Sequence, residues 1–542
     1  MENSSPQKPD DQETRLAINE TLEDYTLRYA PHSFRRWSPR VVSITALGGI
    51  AYLADMAIGA SISLNYGSSN AIWAILFAAV IIFITGFPIG YYSARYNIDL
   101  DLITRGAGFG YFGSVLTSLI YASYTFIFFA LEGAIMAQGL YMGLDIPLWA
   151  GYLISTVVVI PLVIYGMKAL SQLQLWTTPI WLILMVGPVA YLVYQQPLLV
   201  EQFGQYTGTM GYAPGDTAAI MLAAGVCLSL IMQIGEQVDY LRFMPAKTKE
   251  NNREWWISMI AAGPGWVFLA AIKQIIGAFL GFYLLSKIPG VNSAEPVRQF
   301  NEVFFNMLPD WIALTLAVIL VVLSQIKINV TNAYSGSLAW TSAYTRLTRH
   351  YPGRTTFVLI NLAIALALME GNMFAVLEKI LGFYSNFAIA WVVVVATDIS
   401  INKYLLKLSP KRPEYRRGML YNVNPVGMVS FLAAAILSIA AFFGLLGQFL
   451  SSYSPLIALS VGFVLTPIMG ILTKGKYYIK KYDDGIHEPR YTPDGTPVAT
   501  VYRCSVCHEN YERPDVLYSE KHHGIICSLC TTLDKTPIKL GE

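Results

Sequence analysis

The chain has 542 residues, of which 54% are hydrophobic and only 13% are charged. Soluble domains usually carry about 25% charged residues, so this composition excludes an ordinary soluble globular protein. Apolar stretches recur between positions 41 and 472, and they approach the length of about 20 residues that a helix needs to cross a bilayer core. The net charge of +2 is uninformative as a sum, because the distribution of charge determines membrane orientation. We therefore expect an all-α polytopic membrane protein.

Twelve transmembrane helices are predicted from these apolar stretches. Helices 1 to 6 are expected at residues 41–64, 72–92, 111–142, 147–165, 175–194 and 217–244. Helices 7 to 12 are expected at residues 255–285, 311–344, 356–369, 374–398, 426–446 and 455–472. The polar residues 1–40 do not form a cleavable signal peptide, so we expect them to be an N-terminal arm and helix 1 to direct insertion.

Lysine and arginine residues are concentrated in the arm, in the loops that follow the even-numbered helices, and at the start of the tail. The intervening loops are nearly free of them, apart from Lys287 and Arg298 between helices 7 and 8. Loops rich in these residues usually lie in the cytoplasm. The pattern therefore predicts an even number of helices in a cell inner membrane, with both termini in the cytoplasm.

Glycines interrupt the first and the sixth helices, which occupy equivalent places in two groups of five. Asp55 lies midway along helix 1 with glycines on both sides. Broken helices at corresponding positions are typical of transporters built from inverted repeats, whose substrate site lies near the midplane. We therefore expect a first repeat at residues 41–196 and a second at 217–398, followed by helices 11 and 12 at 425–473.

Charged side chains inside predicted helices are candidates for ion coupling, because charges in the bilayer core are costly. Asp55 lies in helix 1, Glu132 lies deep in helix 3, and Lys327 lies in helix 8. The neighbours of Lys327 are amides and hydroxyls, which suit a polar cavity better than a lipid-facing wall. The alternative for each residue is an internal salt bridge or a position near the membrane interface, and this is the simpler explanation for Lys273 in helix 7.

Three segments of the sequence resemble one family of transporters. The end of helix 6 reads EQVDYLRF, the arm contains LEDYTLRYAPHSFRRWSP, and helix 8 contains NVTNAYSGSLAW. They resemble the nucleobase–cation symporters of the purine/cytosine permease group, to which hydantoin and allantoin permeases are related. The resemblance covers residues 22–472 and implies a LeuT-like fold, with a 5+5 inverted repeat and two extra helices.

The resemblance also implies a planar base or hydantoin ring held between aromatic residues of helices 3 and 6, with amides of helices 3 and 8 at its edge. By motif, the helix 3 aromatic residue falls on Phe128, and the family's amide falls on Glu132 one turn later. The helix 8 amide falls on Asn332, whereas the stacking position of helix 6 falls on Leu228, which is not aromatic. The predicted substrate-binding residues are Phe128, Glu132, Leu228, Gln233, Asn332 and Tyr334.

Family members that use sodium are implied to hold it between helices 1 and 8. The matching positions of helix 8 fall near Ile326 and Lys327, where a lysine ammonium would take the place of the ion. Asp55 is the expected partner, since a buried lysine needs one. We expect sodium-independent transport, either proton-coupled or facilitated, with Glu132 or the Asp55–Lys327 pair carrying the proton. Alternatively, Lys327 only braces neighbouring helices.

The tail at residues 474–542 is polar and contains four clustered cysteines. They form two CxxC pairs separated by nineteen residues, Cys504 with Cys507 and Cys527 with Cys530. Four thiolates suit one tetrahedral Zn2+ ion and leave no open position, so we expect a structural site in a module at residues 502–533. The pattern resembles zinc ribbons and rubredoxins, which makes iron the alternative metal. A docking surface for a cytoplasmic protein partner, a regulator of gating and a redox sensor are all open roles.

The most economical function is a permease that moves a small planar nitrogen heterocycle, such as a nucleobase, a hydantoin or a vitamin precursor, by alternating access. The principal alternative is a transporter-like receptor whose tail module signals ligand occupancy. An enzyme is not expected, because the sequence contains no nucleophile elbow, phosphate-binding loop or open metal triad. The expected partners are the substrate, membrane lipid and H+, without an organic cofactor or nucleic acid.

Overall fold

A computed structural model describes residues 25–371 and 377–535 of the chain. Nine helices of this described part are long and apolar enough to cross a membrane, and a bent pair at the start of the chain forms a tenth span. Two shorter helices complete a set that matches the twelve predicted helices in order. The prediction of an all-α, multi-pass membrane protein with a cysteine-containing tail is therefore confirmed.

The twelve helices are named α1 to α12 in chain order. They are Pro39–Gly48 with Ala54–Tyr66 (α1), Ser68–Tyr96 (α2), Gly113–Leu144 (α3), Leu148–Ile164 (α4), Gly166–Gln195 (α5), Thr217–Leu241 (α6), Asn252–Lys287 (α7), Asp310–Thr348 (α8), Arg354–Glu370 (α9), Leu377–Thr397 (α10), Pro425–Phe442 (α11) and Ser454–Leu472 (α12). Short helices between them are Leu100–Thr104, Pro197–Gly204, Pro296–Phe305 and Gln448–Ser452. The predicted start of helix 10 at residue 374 lies outside the described residues, as do residues 1–24 of the arm and 536–542 of the tail.

The helices α1 and α6 are both interrupted near their centres. In α1, a 3-10 turn at Gly49–Ala51 leads to Tyr52, whose ψ of 149° is extended. The two halves of α1 are bent by 48° at this break. In α6, a 3-10 turn at Ser229–Met232 separates the two helical halves. Both interruptions lie in the helices where the glycines predicted them, and each one frees backbone groups that a ligand or a side chain can bind.

The helices pack in two four-helix groups. The first group contains α1, α2, α6 and α7, and the second group contains α3, α4, α8 and α9. The helix α5 packs against α1 and α8, whereas α10 packs against α6, α11 and α12. Alternating access in inverted-repeat transporters largely rocks one such unit against another. In such transporters, the contacts that join the two units determine which side is open.

Two glycines allow α1 and α7 to approach each other closely. A Cβ atom at Gly59 would lie 1.9 Å from the Gln274 carbonyl oxygen, and one at Gly277 would lie 2.3 Å from the Met56 carbonyl oxygen. Small residues at a contact between membrane helices let the two backbones touch. This contact holds the second half of α1 against the turn of α7 that carries Lys273.

The tail contains two antiparallel hairpins and a short helix. Strand β1 (Val501–Arg503) pairs with β2 (Asn510–Glu512), and β3 (Val516–Ser519) pairs with β4 (Gly524–Cys527). The helix Ser528–Leu533 follows. The small apolar core of the hairpins includes a methionine from the loop between α10 and α11, so the tail is docked on the bundle. The end of the bundle that it covers is called the tail side below.

Replacing Gly277 by alanine is expected to destabilise the protein by about 1–3 kcal/mol, because the added methyl group overpacks the contact with α1. The matched control is Gly187→Ala in α5, where, apart from the neighbouring backbone of α5 itself, no atom of the described residues lies within 4 Å of the added Cβ. Thermal unfolding of the purified full-length protein in detergent measures both changes. Equal melting temperatures for the two variants would show that the close contact is unimportant.

Candidate substrate and coupling site

The break in α1 is closed by an ion pair with α7. The Lys273 ammonium lies 2.8 Å from Asp55 Oδ2, and it also donates to the Tyr52 carbonyl at 2.8 Å. The Gln274 amide donates to the other carboxylate oxygen of Asp55 at 2.9 Å. Lys273 therefore neutralises a buried carboxylate and satisfies a carbonyl at the break, where the helical hydrogen-bond ladder is interrupted.

The predicted pairing of Asp55 with Lys327 is wrong. Lys327 points from α8 towards α5, where its ammonium lies 3.0 Å from each of the hydroxyl oxygens of Thr177 and Thr178. The physical reason is the close contact of α1 with α7, which brings Lys273 to Asp55. The alternative interpretation, that Lys327 braces neighbouring helices, agrees with this geometry.

One face of α3 connects the breaks in α1 and α6. Tyr124, Phe128 and Glu132 are spaced by four residues and project from the same face, and the first two rings lie 4.5 Å apart. Glu132 Oε1 accepts a hydrogen bond from the Ala54 N–H at 3.3 Å, beside the break in α1. The Tyr124 hydroxyl donates to Gln233 Oε1 at 2.8 Å, beside the break in α6. The structure thus brings predicted residues of α3 and α6 into one cluster.

Glu236 joins this cluster, although Gln233 was the residue of α6 predicted beside the substrate. The Gln233 amide donates to Glu236 Oε2 at 2.7 Å, and the Glu236 side chain is completely buried. The available sequence signal was the spacing of one helical turn from Gln233. Because a carboxyl group inside a membrane helix is costly, its place in the predicted helix 6 could have marked Glu236 as a candidate.

Several buried oxygens of the cluster have no hydrogen-bond partner within the described residues. They are Glu132 Oε2, Glu236 Oε1 and Asn332 Oδ1. The Asn332 amide donates one of its two N–H groups to Asn329 Oδ1 at 3.2 Å. The side-chain amide of Gln325, two turns earlier on α8, lies beside the Glu132 carboxyl group, so it is the candidate donor for the unpartnered Glu132 oxygen. Buried polar groups are normally paired, and these atoms therefore mark positions suited to a ligand or a proton.

Leu228 and Tyr334 differ in their relation to the cluster. Leu228 ends the first half of α6 and is buried at the break. Tyr334 is directed away from Asn332, because two residues of a helix are rotated by about 200°. Its hydroxyl accepts a hydrogen bond from Arg242 Nη2 at 2.8 Å, and its ring faces the Arg354 guanidinium at 5.1 Å. The assignment of Tyr334 to the substrate site is therefore corrected, since this side chain links α8 to the end of α6.

Arg242 joins the two helix groups on the tail side. Besides its bond to Tyr334 of α8, it lies 3.6 Å from Asp99 Oδ2 and donates to the Tyr25 carbonyl of the arm at 3.3 Å. The residues of the cluster around Glu132 are all buried. Phe128 is the most exposed of them, at 3%. The structure therefore shows the site closed on both sides.

The four cysteines of the tail form a group able to bind a metal ion. Their sulfur atoms all lie within 4.8 Å of one another. The sulfurs of Cys507 and Cys527 are 3.9 Å apart, close to the separation of about 3.8 Å that zinc–sulfur bonds of about 2.3 Å give in a tetrahedral site. The backbone N–H groups of Cys527 and Cys530 donate to the sulfurs of Cys504 and Cys527, as suits thiolate ligands. The predicted four-cysteine metal site is therefore confirmed as a geometric arrangement.

The fold of the chain is similar to solved transporter structures. One is Mhp1, described as a nucleobase-cation-symport-1 family transporter in a closed conformation with bromovinylhydantoin bound, with 16% identity, a TM-score of 0.59, and coverage of 82% of this chain and 94% of that chain. An inward-facing conformation of Mhp1 has 16% identity and a TM-score of 0.58, over 89% of this chain and 99% of that chain. A Na+-coupled sialic acid symporter has 12% identity and a TM-score of 0.57, over 85% and 96%. These similarities show the fold alone.

No curated protein matches the sequence. A family model does match it over residues 29–471, and the family is described as permease for cytosine/purines, uracil, thiamine, allantoin. The match covers most of the chain and ends before the cysteine-containing tail. The resemblance predicted from the arm, helix 6 and helix 8 is thereby confirmed. The chain belongs to the family of permeases for cytosine/purines, uracil, thiamine and allantoin.

Proposed function

We propose that the chain is a secondary transporter that moves a small planar nitrogen heterocycle together with a proton by alternating access. The observation that carries this proposal is the pair of buried carboxyl groups, Glu132 and Glu236, each with an unpartnered oxygen near a broken helix. Broken helices at corresponding positions form the substrate site in transporters of this architecture. The family description, which includes cytosine, purines, uracil, thiamine and allantoin, supports a heterocyclic substrate.

The substrate ring is proposed to lie on Phe128, with Leu228 covering its opposite face. The edge of a base or hydantoin alternates N–H donors with carbonyl or imine acceptors. Ionised carboxylates only accept hydrogen bonds, whereas a protonated carboxyl group also donates one. When both carboxyl groups are ionised, the oxygens of Glu132, Glu236 and Asn332 can accept hydrogen bonds from the N–H groups of such an edge. The two carboxylates then cannot donate to the acceptors of the substrate.

Glu132 is the proposed proton carrier. Its protonated form would donate to a substrate carbonyl or imine nitrogen, while Glu236, oriented by Gln233, accepts from a substrate N–H. Lys273 is already paired with Asp55 at 2.8 Å, so protonation is the simplest way to neutralise a carboxyl group in the bilayer core. Substrate affinity then rises with proton occupancy, and this linkage is the condition for symport.

Lys327 supports a transport cycle that does not depend on sodium. The family resemblance places the sodium ligands of other members near Ile326 and Lys327, and a buried ammonium repels a second cation. Its contacts with Thr177 and Thr178 at 3.0 Å fasten α8 to α5 without an ion. Sodium-dependent uptake that persists in Lys327→Ala would contradict this part of the proposal.

We further propose that the tail side faces the cytoplasm and that the tail binds Zn2+, with iron as the alternative. Lysines and arginines are concentrated in the loops at this end, which supports the orientation in an inner membrane. Four thiolates in a closed site are typical of structural zinc. The proposed inverted repeats at residues 41–196 and 217–398 remain a prediction. They would explain why the two broken helices, α1 and α6, occupy matching positions.

Replacing Glu132 by glutamine is expected to abolish proton-driven accumulation while exchange of substrate persists, because the amide imitates the protonated carboxyl group. A gradient of one pH unit supports about tenfold accumulation for one proton per substrate, since a tenfold ratio corresponds to about 1.4 kcal/mol. Radiolabelled cytosine, uracil and allantoin in proteoliposomes measure accumulation and counterflow separately. The matched control is Glu201→Gln, an exposed glutamate in the short helix Pro197–Gly204, which should behave as the wild type. Undiminished proton-driven accumulation in Glu132→Gln would exclude Glu132 as the carrier.

The purified full-length protein is expected to carry one zinc ion per chain, held by the four thiolates. Cys527→Ser should lose this ion, because a structural tetrahedral site needs all four ligands. Cys227→Ser is the control, since Cys227 lies in α6 and outside the metal-binding group. Elemental analysis by mass spectrometry measures both variants. Iron in place of zinc, or zinc retained in Cys527→Ser, would overturn the assignment.

A further inference from the structure

The tail holds the N-terminal arm through two carboxyl groups. The backbone N–H of His32 donates to Glu512 Oε1 at 2.8 Å, and the backbone N–H of Tyr29 donates to Asp515 Oδ1 at 3.3 Å. The Tyr29 hydroxyl also donates to Glu512. Burial raises the pKa of both carboxyl groups to about 7. Because the donors are backbone amides, their exchange with solvent reports directly on this contact.

The arm is fastened to the first helix group. The Ala30 N–H donates to the Asn97 carbonyl at 2.8 Å, just beyond the end of α2. The Arg35 guanidinium donates to the side-chain oxygen of Asn97 at 2.7 Å. The rings of Phe34 and Phe243 lie 5.3 Å apart and join the arm to the end of α6. Whatever holds the arm on the tail side therefore holds the ends of α2 and α6 as well.

The same tail is fastened to the second helix group. Tyr111, at the start of α3, shares a hydrogen bond with the Thr532 hydroxyl at 2.9 Å. Arg349, at the end of α8, donates to the Lys535 carbonyl. Arg417, in the loop between α10 and α11, donates to three carbonyls at the end of the tail, the closest at 2.7 Å. The tail thus bridges the two groups on one side of the bundle.

A buried ion network fixes the tail against the loop between α10 and α11. Arg416 lies 2.9 Å from Glu414 Oε2 and 2.7 Å from Asp484 Oδ2, and Arg513 lies 2.9 Å from the other oxygen of Asp484. Burial alone would raise the pKa of Glu414, but Arg416 and Arg490 outweigh it and lower this pKa to about 2. The pairs are therefore fully charged near neutral pH and hold the tail in one position.

The four cysteines join the two contact surfaces of the tail. Glu512, which holds the arm, follows the first CxxC pair on β2, and Thr532, which holds α3, follows the second pair in the short helix. The apolar core between the hairpins is small, and domains of this size rarely fold without a metal ion or another crosslink. One ion bound by both CxxC pairs would therefore keep the arm contact and the α3 contact in one body.

We propose that the tail is a metal-dependent clamp that holds the tail side of the transporter closed. Opening of this side requires the first group to move away from the second, and the tail bridges both groups there. Loss of the metal separates the two contact surfaces and releases the arm. The clamp controls access to the proposed substrate site near Glu132. Its effect on flux rests on the proposed transport function, whereas the contacts of the clamp do not.

Hydrogen–deuterium exchange of the full-length protein in nanodiscs tests the clamp without any substrate. Chelation of the metal, or the variant Arg417→Gln, is expected to speed exchange of the arm peptide that contains Tyr29 and His32 by at least about tenfold, as local opening does. The matched control is Lys480→Gln, because Lys480 is an exposed cation at the start of the tail and its side chain takes no part in the contacts described above. Exchange in α3 and α8, whose amides bond within their own helices, should stay slow and shows that the bundle remains folded.

Unchanged protection of the arm in protein shown by mass spectrometry to be metal-free would overturn the clamp. Equal effects of Arg417→Gln and Lys480→Gln would overturn it too. Faster exchange of the arm only on chelation and in Arg417→Gln supports it. Because this readout needs no flux, a protein that passes it but fails every uptake assay would refute the transport function and leave the clamp standing.

Discussion

The ion pair between Asp55 and Lys273 is the interaction on which the site depends. A buried charge pair is stable in a membrane bundle only when its geometry is good and its other polar atoms are satisfied. Here the ammonium contacts the carboxylate and the Tyr52 carbonyl at 2.8 Å each, and Gln274 satisfies the second oxygen of Asp55. The break in α1 therefore has a fixed polar partner from α7. The contact exists because Gly59 and Gly277 let the two backbones touch.

This pairing explains why the carboxyl groups of α3 and α6 are available for transport. With Lys273 already neutralising Asp55, Glu132 and Glu236 keep one oxygen each without a hydrogen-bond partner in the part of the chain that the structure describes. Their hydrogen-bonding capacity changes with protonation, and in the proposed cycle this change links the substrate edge to the proton. On the tail side, Arg242 and the docked tail join the same two helix groups. The helices that contain the breaks therefore belong to the groups that must separate when the tail side opens.

The sequence was sufficient for much of this architecture. Apolar stretches and alternating loop charge predicted the order of the helices, glycines predicted the breaks in α1 and α6, and the CxxC pairs predicted the metal-binding group, because each signal is local. The partner of Asp55 was not predictable, since a backbone contact between distant helices decides it. The direction of Tyr334 follows from helical geometry once Asn332 is placed in the site. The contact of His32 with Glu512 joins residues 480 positions apart. A local sequence pattern cannot predict a contact between such distant residues.

In the proposed cycle, a proton carried by a buried carboxyl group drives a planar heterocycle through this bundle. Uptake of a panel of radiolabelled bases and hydantoins into proteoliposomes, in sodium-free buffer with an acidic exterior, tests it most directly. Proton coupling should give transient accumulation of at least one of these compounds above equilibrium, and this accumulation should collapse when a proton ionophore is added. Accumulation that appears only with a sodium gradient, or binding of a heterocycle without any flux, would contradict it.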